Sequence, residues 1–212
     1  MSLTTLSSPA TGPASAVPPT PTTALLPLRT RRPDRRRWHD GPTPVSLADL
    51  SGLTRDIAAE VAAGRHEVRV DSEHRWSHRL HSDDHLDVWL ISWATLQAAE
   101  LHDHGGSIGA LTVVSGELTE WRWSPGRDDD DDVPAEEIAA RGPGLRRRSL
   151  TSGRGAAFGL GHVHDVSNRS ATPAVSVHAY SPPLSAMSYY EVSGGVLRRT
   201  RSEVVPPGQS PE

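Results

Sequence analysis

LHDHGGS, at residues 101–107, and GHVHDVSN, at residues 161–168, each carry two histidines one residue apart. On a β-strand, side chains two residues apart point to the same face of the sheet. His102 and His104 can therefore offer two imidazoles to one metal ion, and a histidine of the second segment can complete a three-histidine site. Such a site requires a framework of β-strands, so the rest of the chain is expected to form strands.

The sequence around these segments predicts one helix followed by many short strands. Leu47, Leu50, Leu53, Ile57 and Val61 recur every three or four residues, which predicts an amphipathic helix over residues 46–63. The apolar residues then recur every second position, beginning with a short predicted strand at residues 68–70. The further predicted strands cover residues 86–93, 108–114, 118–123, 145–150, 155–159, 163–167, 174–180, 187–192 and 195–199. This order predicts an all-β fold, a single β-barrel or sandwich with an N-terminal amphipathic helix.

Three polar segments are predicted to lie outside the regular structure. Residues 1–44, which are rich in Pro, Thr and Ser and also carry an arginine cluster, are expected to form a disordered arm before a domain at 45–200. Residues 125–144, which contain five consecutive aspartates, are expected to form a mobile loop, and residues 201–212 a flexible tail. Binding of nucleic-acid phosphates by the arginine cluster stays open as an additional role for the arm.

Composition excludes several functions. The chain contains no cysteine, so it has no disulfide, no thiolate metal ligand and no cysteine nucleophile. The net charge of −4 does not predict a nucleic-acid partner for the domain. No apolar run is long enough to span a membrane and no export signal is recognisable, so the expected location is the cytoplasm. A monomer or a weak oligomer is expected.

The spacing of the histidine segments matches two motifs of the cupin barrel. His102-x-His104, four residues, Gly109, six residues, Gly116 fits the first motif, and Gly161-x-x-His164-x-x-x-Asn168 fits the second. The chain departs from the first motif at Gly109, where cupins usually have a glutamate. In the second segment, the spacing to the asparagine selects His164 as the ligand, while His162 stays open as an alternative.

Three segments together resemble the cysteine dioxygenase family of thiol dioxygenases, a family of cupin (jelly-roll) barrels. They are HDHGGS at residues 102–107, HDVSN at 164–168 and PAVSVHAYSPPL at 173–184. The resemblance implies that His102, His104 and His164 hold one Fe(II) per chain. It also implies a catalytic chain of Ser176, His178 and Tyr180 beside the iron.

The same resemblance implies the substrate and the reaction. RWSHRL, at residues 75–80, places Arg79 where the family binds the substrate carboxylate, and a guanidinium fork suits that task. The expected reaction is oxidation of L-cysteine, or of a related small carboxylated thiol, by O₂ to the sulfinate. Relatives that act on 3-mercaptopropionate place their arginine after the tyrosine, and this chain has no arginine between residues 181 and 196.

The chain departs from the family at two positions. Ser77 stands where members often have a tyrosine, and Gly109 stands where some have a cysteine that is cross-linked to the active-site tyrosine. The alternatives to a thiol dioxygenase are a metal-binding cupin without turnover, which would act as a sensor or binding module, and a cupin metalloenzyme with another substrate.

Overall fold

A computed structural model describes residues 45–124, 134–206 and 208–209 of the chain. These residues belong to one compact unit. The predicted N-terminal arm and the aspartate run at 128–132 lie outside the described residues.

The predicted N-terminal helix is present as α1, Leu47–Ala62. Ser46 caps it, since the Ser46 hydroxyl accepts a hydrogen bond of 3.2 Å from the Asp49 backbone N–H and donates one of 2.7 Å to the Asp49 carboxylate. Such a cap satisfies one of the backbone donors that the first turn of a helix leaves without a partner. The buried face of α1, which includes Leu50 and Val61, packs mainly on β4 and β9.

Eleven strands follow α1 in the described part of the chain. They are β1 Ser77–Ser82, β2 Asp87–Trp93, β3 His102–Asp103, β4 Ile108–Ser115, β5 Glu117–Trp123, β6 Leu145–Thr151, β7 Gly155–Phe158, β8 His164–Ser167, β9 Ala174–Ser181, β10 Ala186–Ser193 and β11 Val196–Val204. A five-stranded sheet has the order β1-β2-β9-β4-β7 and a six-stranded sheet the order β11-β10-β3-β8-β5-β6, and neighbouring strands pair antiparallel. The prediction of an all-β jelly-roll barrel with an N-terminal helix is confirmed.

The inner faces of the two sheets share one hydrophobic core. The five-stranded sheet contributes Trp89, Trp93 and Phe158, and the six-stranded sheet contributes Leu118 and Val166. Alternation along each strand sends every second side chain into this core. The same alternation therefore decides which polar side chains enter the barrel interior.

The flexible tail was predicted to begin at residue 201, and this starting point is wrong. Strand β11 continues to Val204 along β10, with Ala186 opposite Val204, and Val205 packs against the barrel core. Most of β11 is exposed to solvent, so the strand needs no regular apolar alternation and its polar sequence resembles a tail.

The loop predicted over residues 125–144 contains a short helix instead, α2 at Ala135–Arg141. Acidic residues lie in its first turn and Arg141 in its last, which complements the helix dipole, and Ile138 packs beside Trp121 on the outer face of the six-stranded sheet. The strand expected at 68–70 is absent, because both valines there are exposed and the segment is irregular. Neither described helix is long and apolar enough to cross a membrane.

Candidate metal centre

The three histidines expected to bind metal lie together inside the barrel. His102 belongs to β3 and pairs with His164 at the start of β8, while His104 follows the end of β3. All three are buried. Each has a ring nitrogen that could bind a metal, and these three nitrogens lie within 4.8 Å of one another. The expectation that one strand carries both His102 and His104 is wrong, because His104 lies in the turn just after β3.

Hydrogen bonds on the far side of two rings leave their Nε2 atoms for a metal. The His102 Nδ1–H donates to the Glu100 carbonyl at 2.6 Å, and the His164 Nδ1–H donates to the Glu120 carboxylate at 2.7 Å. A neutral imidazole with a proton on Nδ1 has its lone pair on Nε2. The Nε2 of His164 is buried and has no hydrogen-bond partner among the residues that the structure describes. A metal ion is the partner that such a buried nitrogen fits.

His104 completes this set as a neutral ring. Burial lowers the pKa of His104 well below its ordinary value, and the neighbouring imidazoles of His102 and His164 lower it further. Its ring stacks on Phe158, with 4.6 Å between the ring centroids. The Nε2 atoms of His102 and His104 lie 3.2 Å apart, which places both donors at one point of the interior.

Phe158 occupies the space beside Gly109 in which cupins usually place their glutamate. A Cβ atom added to Gly109 would lie 2.1 Å from Cε2 of Phe158, and the Phe158 side chain is 1% exposed. The ring therefore blocks any larger residue at position 109. The histidine set has no carboxylate from this position, as the sequence indicated, and the sequence alone did not identify what fills the gap.

A carboxylate nevertheless lies next to the metal ligands. Glu120, on β5, is fully buried, and besides His164 it faces His162 at 3.5 Å and forms an ion pair with Arg148. Burial would raise the pKa of Glu120, but hydrogen bonds from His162, His164 and Arg148 outweigh this effect and hold the pKa far below its ordinary value. Sequence reasoning missed Glu120, although its position two residues after Leu118 on a predicted strand indicated an inward side chain.

The expected chain of Ser176, His178 and Tyr180 is formed on β9 and extends by one residue. The Ser176 hydroxyl lies 2.8 Å from Nε2 of His178, and Nδ1 of His178 lies 3.2 Å from the Tyr180 hydroxyl. The indole N–H of Trp93 donates to the Ser176 hydroxyl at 2.9 Å. The far end of the chain reaches the histidine set, since the rings of Tyr180 and His104 have centroids 5.1 Å apart. Trp93 is a second residue that the sequence did not indicate.

Arg79 lies on the same face of the five-stranded sheet as the polar chain. Arg79 is opposite Trp89 on β2, and Trp89 is opposite His178 on β9. Residues directly opposite one another on antiparallel strands share a face. The Arg79 guanidinium lies over the Trp89 ring, 5.2 Å from its centroid, and the side chain is 30% exposed.

Two groups already contact the Arg79 guanidinium. Its Nη1 donates to the Ser82 hydroxyl at 3.0 Å and to the buried Asp87 carboxylate at 3.5 Å. The backbone at Gly208 lies close by, because a Cβ added there would come within 2.6 Å of Nη2. Asp87 is a third residue that sequence reasoning missed, although it lies in the strand predicted over residues 86–93; in the structure it is directly opposite Tyr180.

Comparison with known proteins gives the family. A family model described as cysteine dioxygenase type I matches residues 51–193. Among solved structures, a protein with a double-stranded β-helix domain from Klebsiella pneumoniae is 16% identical and aligns over 73% of this chain and 96% of its own, with a TM-score of 0.45. A protein from Thermus thermophilus is 21% identical over 54% of this chain and 90% of its own, with a TM-score of 0.40. A cupin superfamily protein from Desulfitobacterium hafniense is 10% identical over 54% and 83%, with a TM-score of 0.39. Because the family model covers well over half of the chain, the protein belongs to the cysteine dioxygenase type I family.

Proposed function

We propose that this protein is an iron-dependent thiol dioxygenase that oxidises L-cysteine, or a related small carboxylated thiol, according to RSH + O₂ → RSO₂H. One Fe(II) per chain would be held by His102, His104 and His164. The observation that carries the proposal is the position of these three buried imidazoles beside the Tyr180 end of a hydrogen-bonded polar chain. A metal-binding module without turnover has no need for this chain.

The three ligands are neutral, and this determines which substrate they favour. When bound, Fe(II) supplies the redox chemistry with O₂ and acidifies a thiol that coordinates to it. Because the imidazoles of His102, His104 and His164 carry no negative charge, they leave the charge of a divalent ion to be matched by the substrate. A thiolate is the anionic ligand that the proposed reaction provides. No separate general base is then required.

The polar chain has a direction, which follows from its donors and acceptors. The Trp93 indole can only donate, so the Ser176 oxygen accepts from it. Among the described residues, His178 Nε2 is the one acceptor within reach of the Ser176 hydroxyl hydrogen. With Nε2 as this acceptor, the proton of a neutral His178 lies on Nδ1, which faces the Tyr180 oxygen at 3.2 Å. In the proposed reaction, Tyr180 stands at the end of this chain nearest the histidines, where its hydroxyl helps to orient the substrate and O₂.

Arg79 is the proposed partner of the substrate carboxylate. It lies on the inward face of β1, and its five N–H groups exceed the number that Ser82 and Asp87 use. The remaining donors can form the paired hydrogen bonds that a carboxylate accepts from a guanidinium. A thiol without a carboxylate, such as cysteamine, should therefore bind more weakly.

The proposed function is tested by oxygen uptake with a set of thiols. The full chain is loaded with Fe(II) without oxygen and then mixed with air-saturated cysteine, 3-mercaptopropionate, mercaptosuccinate or cysteamine. We expect cysteine to be oxidised fastest, with one O₂ consumed for each sulfinate formed. His164→Ala should abolish both iron binding and uptake, whereas His74→Ala, a change at an exposed histidine that is not among the proposed site residues, should alter neither. Bound iron with no uptake for any thiol would refute the enzyme assignment.

A further inference from the structure

We infer that Glu120 is a positioning residue of the metal centre, which fixes His164 as a ligand and supplies the negative charge that position 109 lacks. The inference rests on the proposed function in that it takes His102, His104 and His164 to be the metal ligands. It concerns a residue that no motif of the sequence indicates.

The contacts of Glu120 make it the link between His164 and the opposite strand. Its Oε1 accepts the 2.7 Å hydrogen bond from His164 Nδ1, and both side chains are fully buried. Its Oε2 is in an ion pair with Arg148, which lies directly opposite on β6. The carboxylate is thus held from both sides, and it cannot turn away from His164 without breaking the ion pair.

A carboxylate in this position determines which nitrogen of His164 can bind metal. An ionised carboxylate only accepts hydrogen bonds, so His164 must carry its proton on Nδ1 and present the Nε2 lone pair. The hydrogen bond also makes the imidazole a stronger donor to a metal, which is the usual effect of a carboxylate behind a histidine ligand. Loss of such a partner commonly lowers metal affinity by about 10- to 100-fold.

The charge of Glu120 compensates in part for the carboxylate that the ligand set lacks. Gly109 offers no carboxylate, and Phe158 fills the space that a carboxylate at that position would need. Glu120 would act from behind His164, because it contacts the Nδ1 side of that ring at 2.7 Å. Its charge would therefore act on a bound metal through the His164 imidazole, and position 109 would supply no ligand that competes with substrate.

A competing use of the same residues can be tested separately. Glu120, His162 and His164 also have potential ligand atoms within 4.8 Å of one another, and these three residues form an alternative candidate metal site. Our inference assigns His162 to the support of Glu120, which it faces at 3.5 Å. It therefore predicts one metal ion per chain, and metal binding that survives the loss of His162.

The decisive experiment measures iron binding and potential without any thiol. Metal-free protein is titrated anaerobically with Fe(II) against a competing chelator, and the Fe(III)/Fe(II) potential of the loaded protein is then recorded. We expect Glu120→Gln, which keeps the shape and removes the charge, to weaken Fe(II) binding at least about tenfold and to move the potential to a more positive value. Glu117→Gln is the matched control, because Glu117 lies on the same strand but is exposed and bonds to Ser149. It should change neither quantity.

Two further variants cover the case in which Glu120→Gln does not fold. Glu120→Gln with Arg148→Gln removes both charges of the ion pair and should show the same loss of affinity. His162→Asn should keep Fe(II) binding within about threefold of the original protein. Unchanged affinity and potential in the glutamate variants would overturn the inference, as would two ions per chain or loss of iron in His162→Asn. Iron binding without thiol oxidation in the unmodified protein would instead refute the proposed function alone.

Discussion

Replacing Gly109 by alanine should destabilise the barrel, because the new methyl group has no space. The added Cβ would lie 2.1 Å and 2.8 Å from two atoms of the Phe158 ring and 3.0 Å from the Ala179 carbonyl oxygen. The carbonyl belongs to a paired central strand, so the ring has to move. The ring is itself fully enclosed, with His104 stacked on it at a centroid distance of 4.6 Å.

The expected cost follows from this overlap. Overpacking a closed core by one methyl group costs about 1–3 kcal/mol. For a domain of this size, each 1 kcal/mol lowers the melting temperature by about 2–4 °C, which gives a decrease of roughly 2–12 °C for Gly109→Ala. Phe158→Leu should relieve the overlap, so the two changes together should cost less than the sum of their separate costs by about 1 kcal/mol or more.

Thermal and denaturant unfolding of the metal-free protein would measure these energies. Gly106→Ala is the matched control, since a Cβ there would meet no atom within 4 Å. It should change the free energy of unfolding by less than about 0.5 kcal/mol, the usual range for surface substitutions. A Gly109→Ala protein that unfolds like the control, or that gains nothing from Phe158→Leu, would show that Phe158 does not fill the space at position 109.

Three further results are expected. Arg79→Ala should raise KM for cysteine by about tenfold or more, because one charge-assisted contact is lost, and should leave KM for cysteamine unchanged. If the variant and the original protein had equal KM values for cysteine, the carboxylate role of Arg79 would be refuted. Ser176→Ala should lower kcat and destabilise the protein by about 1–3 kcal/mol, because it leaves the Trp93 donor buried without its acceptor, and wild-type values of both would argue against the chain. Fe(II) at 100 times its Kd should stabilise the folded protein by about 2.7 kcal/mol in unfolding assays, and His104→Ala should remove this gain if His104 is a ligand.

The sequence predicted the parts of the fold that depend on local pattern. The N-terminal helix was predicted because Ser46 and the apolar stripe of α1 both act within a few residues. Strands with a buried face, such as β2 and β9, were predicted from their apolar runs. The predicted length of strand β11 was too short, because an exposed strand can be polar throughout. Its full length depends on pairing with β10, which a local sequence pattern does not show.

Within the site, the histidines were predicted because their spacing in the sequence itself indicates a metal site. Glu120, Phe158 and Asp87 were not, since each acts on a residue of a neighbouring strand: Glu120 on His164, Phe158 on Gly109 and Asp87 on Arg79. Alternation along a predicted strand shows only that such a side chain points inward. Which partner it meets there depends on the register between strands, which no local pattern contains.

The charges around the centre bear on the proposed preference for a carboxylated thiol. Asp87 already has a guanidinium partner in Arg79, and Glu120, which pairs with Arg148, offsets the charge of a bound ion only in part. Three imidazole ligands bring no negative charge to a divalent ion, so an anionic ligand would still be favoured there. A thiolate is such a ligand. A carboxylate on the same substrate can share Arg79 with Asp87, because a guanidinium has more donors than Asp87 and Ser82 use. If the proposed roles hold, a substrate with both groups would bind the metal and Arg79 at once, whereas an aminothiol would bind the metal alone.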